Sequence, residues 1–102
     1  MANIIRATTP TFRYTFRVVK VSDITAAYLT IRYGCITLFE KTLAEATVGE
    51  NYLEWTFTQQ ETLQMAGLKI DAQLNWKLAD GTRGASRKSV VSISSNLKEE
   101  VI

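Results

Sequence analysis

The chain contains no histidine. Its absence removes the commonest general base, the usual imidazole metal ligand and the usual activator of a serine or cysteine nucleophile. Acid–base chemistry would therefore rest on carboxylates alone. A single cysteine, Cys35, stands among 102 residues. It cannot form an internal disulfide, and its expected role is a small buried or half-buried side chain in a fold compatible with a reducing cytoplasm. A zinc site lacks its ligands, and the alternating acids of a calcium loop are absent, so no metal and no cofactor is expected. No apolar run reaches the roughly 20 residues that cross a bilayer, and the opening MANIIRATTP has no hydrophobic signal core. A soluble protein without a secretion signal or a membrane partner is expected.

What the sequence does have is alternation. From Leu68 to Leu78, Leu68, Ile70, Ala72, Leu74, Trp76 and Leu78 alternate with Lys69, Asp71, Gln73, Asn75 and Lys77. A period of two is a strand signal, because at about 100° per residue a helix would scatter the same apolar set around its surface. The chain thus needs a sheet with one dry face and one wet face. Its length suits one domain spanning residues 1–102, with a core that needs no staple. A hydrophobic content of 46% with 22% charged residues is that of a globular chain.

The same alternation recurs. Thr11 to Val19 sets Phe12, Tyr14, Phe16 and Val18 inward; Ala27, Leu29, Ile31 and Tyr33 follow until Gly34 breaks the run. Ile36 to Lys41 then forms a hairpin partner. Thr42 to Glu50 has no clear period and is expected to be a connection, and Tyr52 to Phe57 directs Leu53, Trp55 and Phe57 inward. Thr58-Gln59-Gln60-Glu61 fits a capping box, and Gly67 is placed to stop a short helix over residues 58–67. This helix is expected to cover the end of the core. Asp80-Gly81 is a strong hairpin signal leading into a strand that firms up at Val91 and Ile93, whose serines suggest a wet edge. The tail Asn96 to Ile102 is either a last short strand or a docking arm. The fold class is mainly β: an antiparallel sandwich of about seven strands with one short helix.

Charge is uneven along the chain. Residues 1–20 carry Arg6, Arg13, Arg17 and Lys20 with no acid, a balance of +4; residues 21–62 carry six acids against Arg32 and Lys41, a balance of −4. Nucleic-acid binding would favour basic and aromatic side chains on one platform, but alternation sends Arg13 and Arg17 to the face opposite Phe12, Tyr14 and Phe16, so no nucleic-acid partner is expected. Opposite charges on two segments suit protein partners instead.

No catalytic set emerges. Glu99 and Glu100 are expected in an exposed tail, and Glu40, Glu50 and Glu54 fall at solvent-facing or loop positions. Gly81 and Gly84 do not open a helix and so lack phosphate-binding context. Trp55 and Trp76 could line a sugar-binding face, but both lie in the apolar register and are expected in the core.

The succession of an aromatic first strand, DITAAYLTIRYG, a strand with FEKTL, YLEWTFTQQETLQMAGLKIDAQLNWKLADGTRGAS and a closing NLKEEVI resembles the N-terminal domain of baseplate upper proteins from tailed phages of Gram-positive bacteria, and related immunoglobulin-like virion modules. Phe57-Thr58-Gln59-Gln60-Glu61-Thr62, Gly67, Gln73, Asp80-Gly81 and Ala85-Ser86 carry the match; Thr8-Thr9-Pro10 stands where that family often has a Gly-Asp turn. The resemblance implies an immunoglobulin-like sandwich and a non-enzymatic structural subunit of a phage or prophage, in tail, baseplate or capsid. Its expected partners are other phage structural proteins and copies of itself, its place the virion, and the bacterial host cytoplasm during assembly. Contact is expected through Arg13, Arg17 and the terminal segments. The alternative is a carbohydrate-binding module using an exposed aromatic such as Tyr28 or Tyr52.

Overall fold

A computed structural model of the chain describes residues 3–65 and 69–102. Nine strands and one short α-helix occur among them: β1 (Asn3–Ile5), β2 (Thr11–Thr15), β3 (Ile24–Tyr33), β4 (Ile36–Thr42), β5 (Thr47–Val48), β6 (Tyr52–Thr56), α1 (Gln59–Leu63), β7 (Lys69–Leu78), β8 (Arg83–Ala85) and β9 (Ser89–Ser94). Single 3-10 turns at Val21–Asp23 and Leu43–Glu45 lead into β3 and β5.

The strands form two sheets. The larger has the order β1-β9-β7-β3-β4, with β8 also on β7; the smaller has the order β2-β6-β5. This is the immunoglobulin-like arrangement, in which the second, fifth and sixth strands face a sheet built from the third, fourth, seventh and last. All pairings are antiparallel except β1 on β9, which is parallel. The strands not expected from the sequence are short: β1 precedes the first expected strand, β5 falls inside the segment expected to be a connection, and β8 is split from β9 at residues 86–88. At the split, the Ser86 hydroxyl accepts the Leu74 N–H (3.0 Å) and the Ser86 N–H donates to the Leu74 carbonyl (2.8 Å), so β7 loses no ladder bond there.

The dry face is as the alternation requires. Ile70, Ala72 and Leu74 of β7 are buried against Ala27, Leu29 and Ile31 of β3, and Leu53, Trp55 and Phe57 face them from the smaller sheet. Trp55 satisfies its buried N–H by donating to the Thr42 carbonyl (2.9 Å). Trp76 is only half-buried, closing one end of the sandwich edge-to-face on Phe16 (centroids 5.0 Å apart). Its ring lies over Gly84, where a Cβ would come within 2.5 Å of the indole.

Several expectations are corrected. β2 ends at Thr15, and Val18, expected inward, is 94% exposed because the chain leaves the sheet after Phe16. Tyr33, the last residue of β3, and Cys35, in the β3–β4 turn, are exposed rather than buried, since both lie at the tip of the hairpin, where Gly34 takes φ +60°. β9 is not an edge, because β1 covers it. The tail forms no strand and lies on its own domain: Arg6 pairs with Glu99 (2.6 Å), and the Ile102 N–H donates to Gln59 Oε1 (2.6 Å). The helix is shorter than expected, and Ala66, Gly67 and Leu68, including the expected glycine stop, lie outside the described residues. Among the described residues no helix is long and apolar enough to cross a membrane.

The expected capping box is present. Glu61 N–H donates to Thr58 Oγ1 (3.1 Å) and Thr58 N–H to Glu61 Oε1 (2.8 Å). The second Glu61 oxygen pairs with Lys41 Nζ at 2.7 Å, and Lys41 is itself buried on β4. One carboxylate thus ends the helix and fastens it to the larger sheet. Removing it leaves a buried ammonium with only Glu45, 3.7 Å away. Glu61→Ala is expected to cost about 2–4 kcal/mol, against about 1 kcal/mol for Thr58→Ala, read from urea unfolding; equal costs would refute the double role. Leu74→Ala, on the central strand, is expected to cost about 2–5 kcal/mol in the same assay, and a cost below that of Thr58→Ala would contradict its place in the core.

Candidate interaction surfaces

The four residues singled out from the sequence do not form one site. Arg13 and Tyr52 meet on the outer face of the smaller sheet, where β2 pairs with β6 and sets Arg13 opposite Glu54 and Thr15 opposite Tyr52. The Arg13 Nε–H donates to Glu54 Oε2 (2.8 Å), and its guanidinium carbon lies 3.9 Å from the Tyr52 ring centroid. Both contacts are solvent-exposed, worth about 0.5–1 kcal/mol each. Arg13 is therefore partly engaged within its own domain.

Arg17 lies two residues beyond β2, exposed, with no hydrogen-bond or ion-pair partner among the described residues. It shares with Arg13 an open groove floored by Tyr14, Phe16 and Trp76. That groove exists because β1 joins the larger sheet and leaves the flank of β2 uncovered.

Tyr28 is on the other sheet. It projects from the wet face of β3 opposite Asn75 of β7, 46% exposed, in a shallow depression with Ala26, Trp76, Lys77 and Arg83. This arrangement offers the exposed Tyr28 ring, with the half-buried Trp76 beside it, edged by amide, ammonium and guanidinium donors. Sequence reasoning placed Tyr28 correctly at the surface but not its neighbours, because Asn75 and Arg83 come from strands more than forty residues away.

The carboxylates are mostly engaged in structural contacts. Glu40 accepts the Thr30 hydroxyl (2.9 Å), Glu54 holds Arg13, Glu61 holds Lys41, Glu99 holds Arg6 and Glu100 pairs with Lys98 (2.9 Å). Glu45 accepts the Thr42 N–H (3.0 Å) and hydroxyl (3.2 Å); the backbone hydrogen bond, helped by the hydroxyl and the Lys41 charge, holds its carboxyl below the usual range. Asp80 is lowered likewise by the Thr82 N–H it accepts in the β7–β8 turn. A general acid at neutral pH requires the opposite shift. No three of the described His, Cys, Asp or Glu side chains gather where a metal ion could be held.

No family model matches the chain, and no curated protein matches it. Among solved structures it is similar to a protein of Bacteroides vulgatus described as a "putative glycoside hydrolase", at a TM-score of 0.56 and 16% identity. The match covers 96% of this chain and 17% of the other. At that identity the likeness concerns the sandwich fold, and this chain spans about a sixth of the larger protein.

The lowered carboxyls make stability depend on acid. A carboxylate whose pKa is depressed by folding contributes stability above its unfolded value near 4.3, and that contribution is lost as pH falls through the folded value. Glu45→Gln is therefore expected to lower the melting temperature at pH 7 and to flatten its decline below about pH 4; parallel acid profiles for variant and wild type would show that Glu45 contributes nothing.

Proposed function

We propose that the chain is a non-enzymatic structural subunit of a phage or prophage particle, working through protein–protein assembly in tail, baseplate or capsid, with other structural proteins and copies of itself as partners. The observation that carries this reading is the open edges of both sheets. Among the described residues β4 pairs only with β3, while β2 and β5 pair only with β6. An uncovered edge strand is a ready template for another chain. Apolar side chains also stand exposed near these edges: Ile36 at the start of β4, Val18 past β2 and Val48 on β5. The engagement of the carboxylates in structural contacts supports the non-enzymatic part, and the resemblance to baseplate upper proteins supplies the phage setting.

Residence in the virion, and in the host cytoplasm before assembly, follows from the same reading. Mass spectrometry of induced, purified particles is expected to find this chain at a fixed ratio to the major tail or capsid proteins; particles that lack it would refute the proposal. The second reading, carbohydrate binding, is favoured by Tyr28 and its ring of donors on the wet face. It requires that host cell-wall saccharides shift the Tyr28 resonances, and flat titrations would dispose of it.

A further inference from the structure

The two edges of the smaller sheet carry opposite charge. β2 belongs to the +4 segment, with Arg17 just beyond its end; β5 belongs to the −4 segment, with Glu50 just beyond its own. Neither Arg17 nor Glu50 has a hydrogen-bond or ion-pair partner among the described residues, and both are exposed.

The backbone groups along these edges point outward. Phe57 N–H donates to the Pro10 carbonyl and Phe16 N–H to the Asn51 carbonyl, which makes the even-numbered residues of β2 those that bond to β6. The peptide groups of Thr11, Arg13 and Thr15 therefore face away from β6. On the far side Gly49 N–H donates to the Tyr52 carbonyl, so the peptide groups of Val48 face away as well.

Direction and level also agree. β2 and β5 are each antiparallel to β6 and so run parallel to one another. Arg13 and Thr47 both lie opposite Glu54, and Tyr14 and Val48 both lie opposite Leu53. Moving one copy sideways along the sheet sets β5 beside the next copy's β2 in parallel, with Val48 level with Tyr14, and brings the turn that carries Glu50 to the end of the sheet where the next copy carries Arg17.

We propose that the open edge of β2 receives the β5 edge of a second copy, the two sheets continuing head to tail with Glu50 of one copy paired to Arg17 of the next. The proposal rests on the assembly reading above and specifies its geometry. Such a contact is heterologous, so repetition gives a ring or a filament rather than a closed dimer. Symmetric pairing is disfavoured: β2 on β2 brings Arg13 and Arg17 against their own copies, and β5 on β5 brings glutamates together. β5 is short, so the contact is small and leans on its charges, with association strongest at low ionic strength.

Charge reversal tests it. In sedimentation velocity at low salt, the full chain is expected to grow in mass with concentration and revert to monomer in high salt. Arg17→Glu and Glu50→Lys are each expected to weaken association by about tenfold or more, since like charges face each other across the contact. The double variant R17E/E50K, and an equimolar mixture of the two single variants, are expected to recover it. Since both side chains are exposed, each variant should melt as the wild type does; Arg17→Ser and Glu50→Gln serve if a reversal disturbs folding. A wild type that stays monomeric at millimolar concentration, a closed dimer, or single variants that associate normally would each overturn head-to-tail pairing. Particle incorporation is a separate readout: a monomeric chain found in virions sinks only this geometry, whereas a self-associating chain missing from virions sinks the phage assignment.

Discussion

The register of β7 against β3 is the constraint on which the fold depends. Eight paired positions run from Ile24 opposite Leu78 to Arg32 opposite Asp71, and they set Leu29 against Leu74 and Ile31 against Ala72. A slip of one residue would turn Ile70, Ala72 and Leu74 to water and bring Asp71, Gln73 and Asn75 inward, so the apolar pattern itself forbids it. The opposite side of β7 carries β9 and β8 in succession, with Ser86 standing in where the ladder changes strands. Placing β7 therefore places five of the six strands of the larger sheet directly or through one neighbour.

The smaller sheet is held without a disulfide. Its apolar side chains Leu53, Trp55 and Phe57 supply area, and the polar ties are few and placed where the sheets meet. Trp55 bonds to the end of β4, Glu61 joins the helix after β6 to Lys41 on β4, and the Thr62 hydroxyl donates to the Thr8 carbonyl (2.9 Å) on the way from β1 to β2. Arg6 gathers three segments, donating to the Leu63 carbonyl (2.7 Å) and pairing with Glu99. A five-residue helix has no independent stability. It persists because its cap, its buried Thr62 and the Lys41 ion pair are all fixed by strands on either side.

What was legible in the sequence was what local periodicity encodes. The inward faces of β3, β6 and β7, the capping box and the Asp80-Gly81 turn follow from neighbouring residues alone. β1 was not legible, because three residues contain barely one period and their parallel partner lies almost ninety positions away. Nor was β5, with two residues, or the outward turn of Val18, where alternation continues in the sequence after the strand has ended. For the candidate surfaces, exposure of Arg13, Arg17 and Tyr28 could be read from alternation, whereas the stacking of Arg13 on Tyr52 depends on a cross-strand register that no single segment reveals. Lys41 illustrates the limit: a lysine at the end of an alternating strand reads as solvated, and only the arrival of Glu61 on the helix after β6 makes its burial tolerable.

The charge asymmetry along the chain acquires meaning from topology. Had β1 paired with β2, as a first strand does in many sandwiches, the basic segment would have a covered edge and its charge would be confined to a solvated face. Because β1 instead closes the larger sheet against β9, β2 is left as one border of a three-stranded sheet whose other border is β5. A separation of +4 and −4 in sequence is thereby turned into a separation across about two strand spacings, roughly 10 Å. Internal pairing consumes part of it, as Arg13 with Glu54 shows. What remains at the borders is Arg17 and Glu50, one cation and one anion at the same end of the sheet. An edge with its own sign of charge repels its copy and accepts the opposite edge, so the strand order that exposes β2 also gives any edge-to-edge association of this domain a direction.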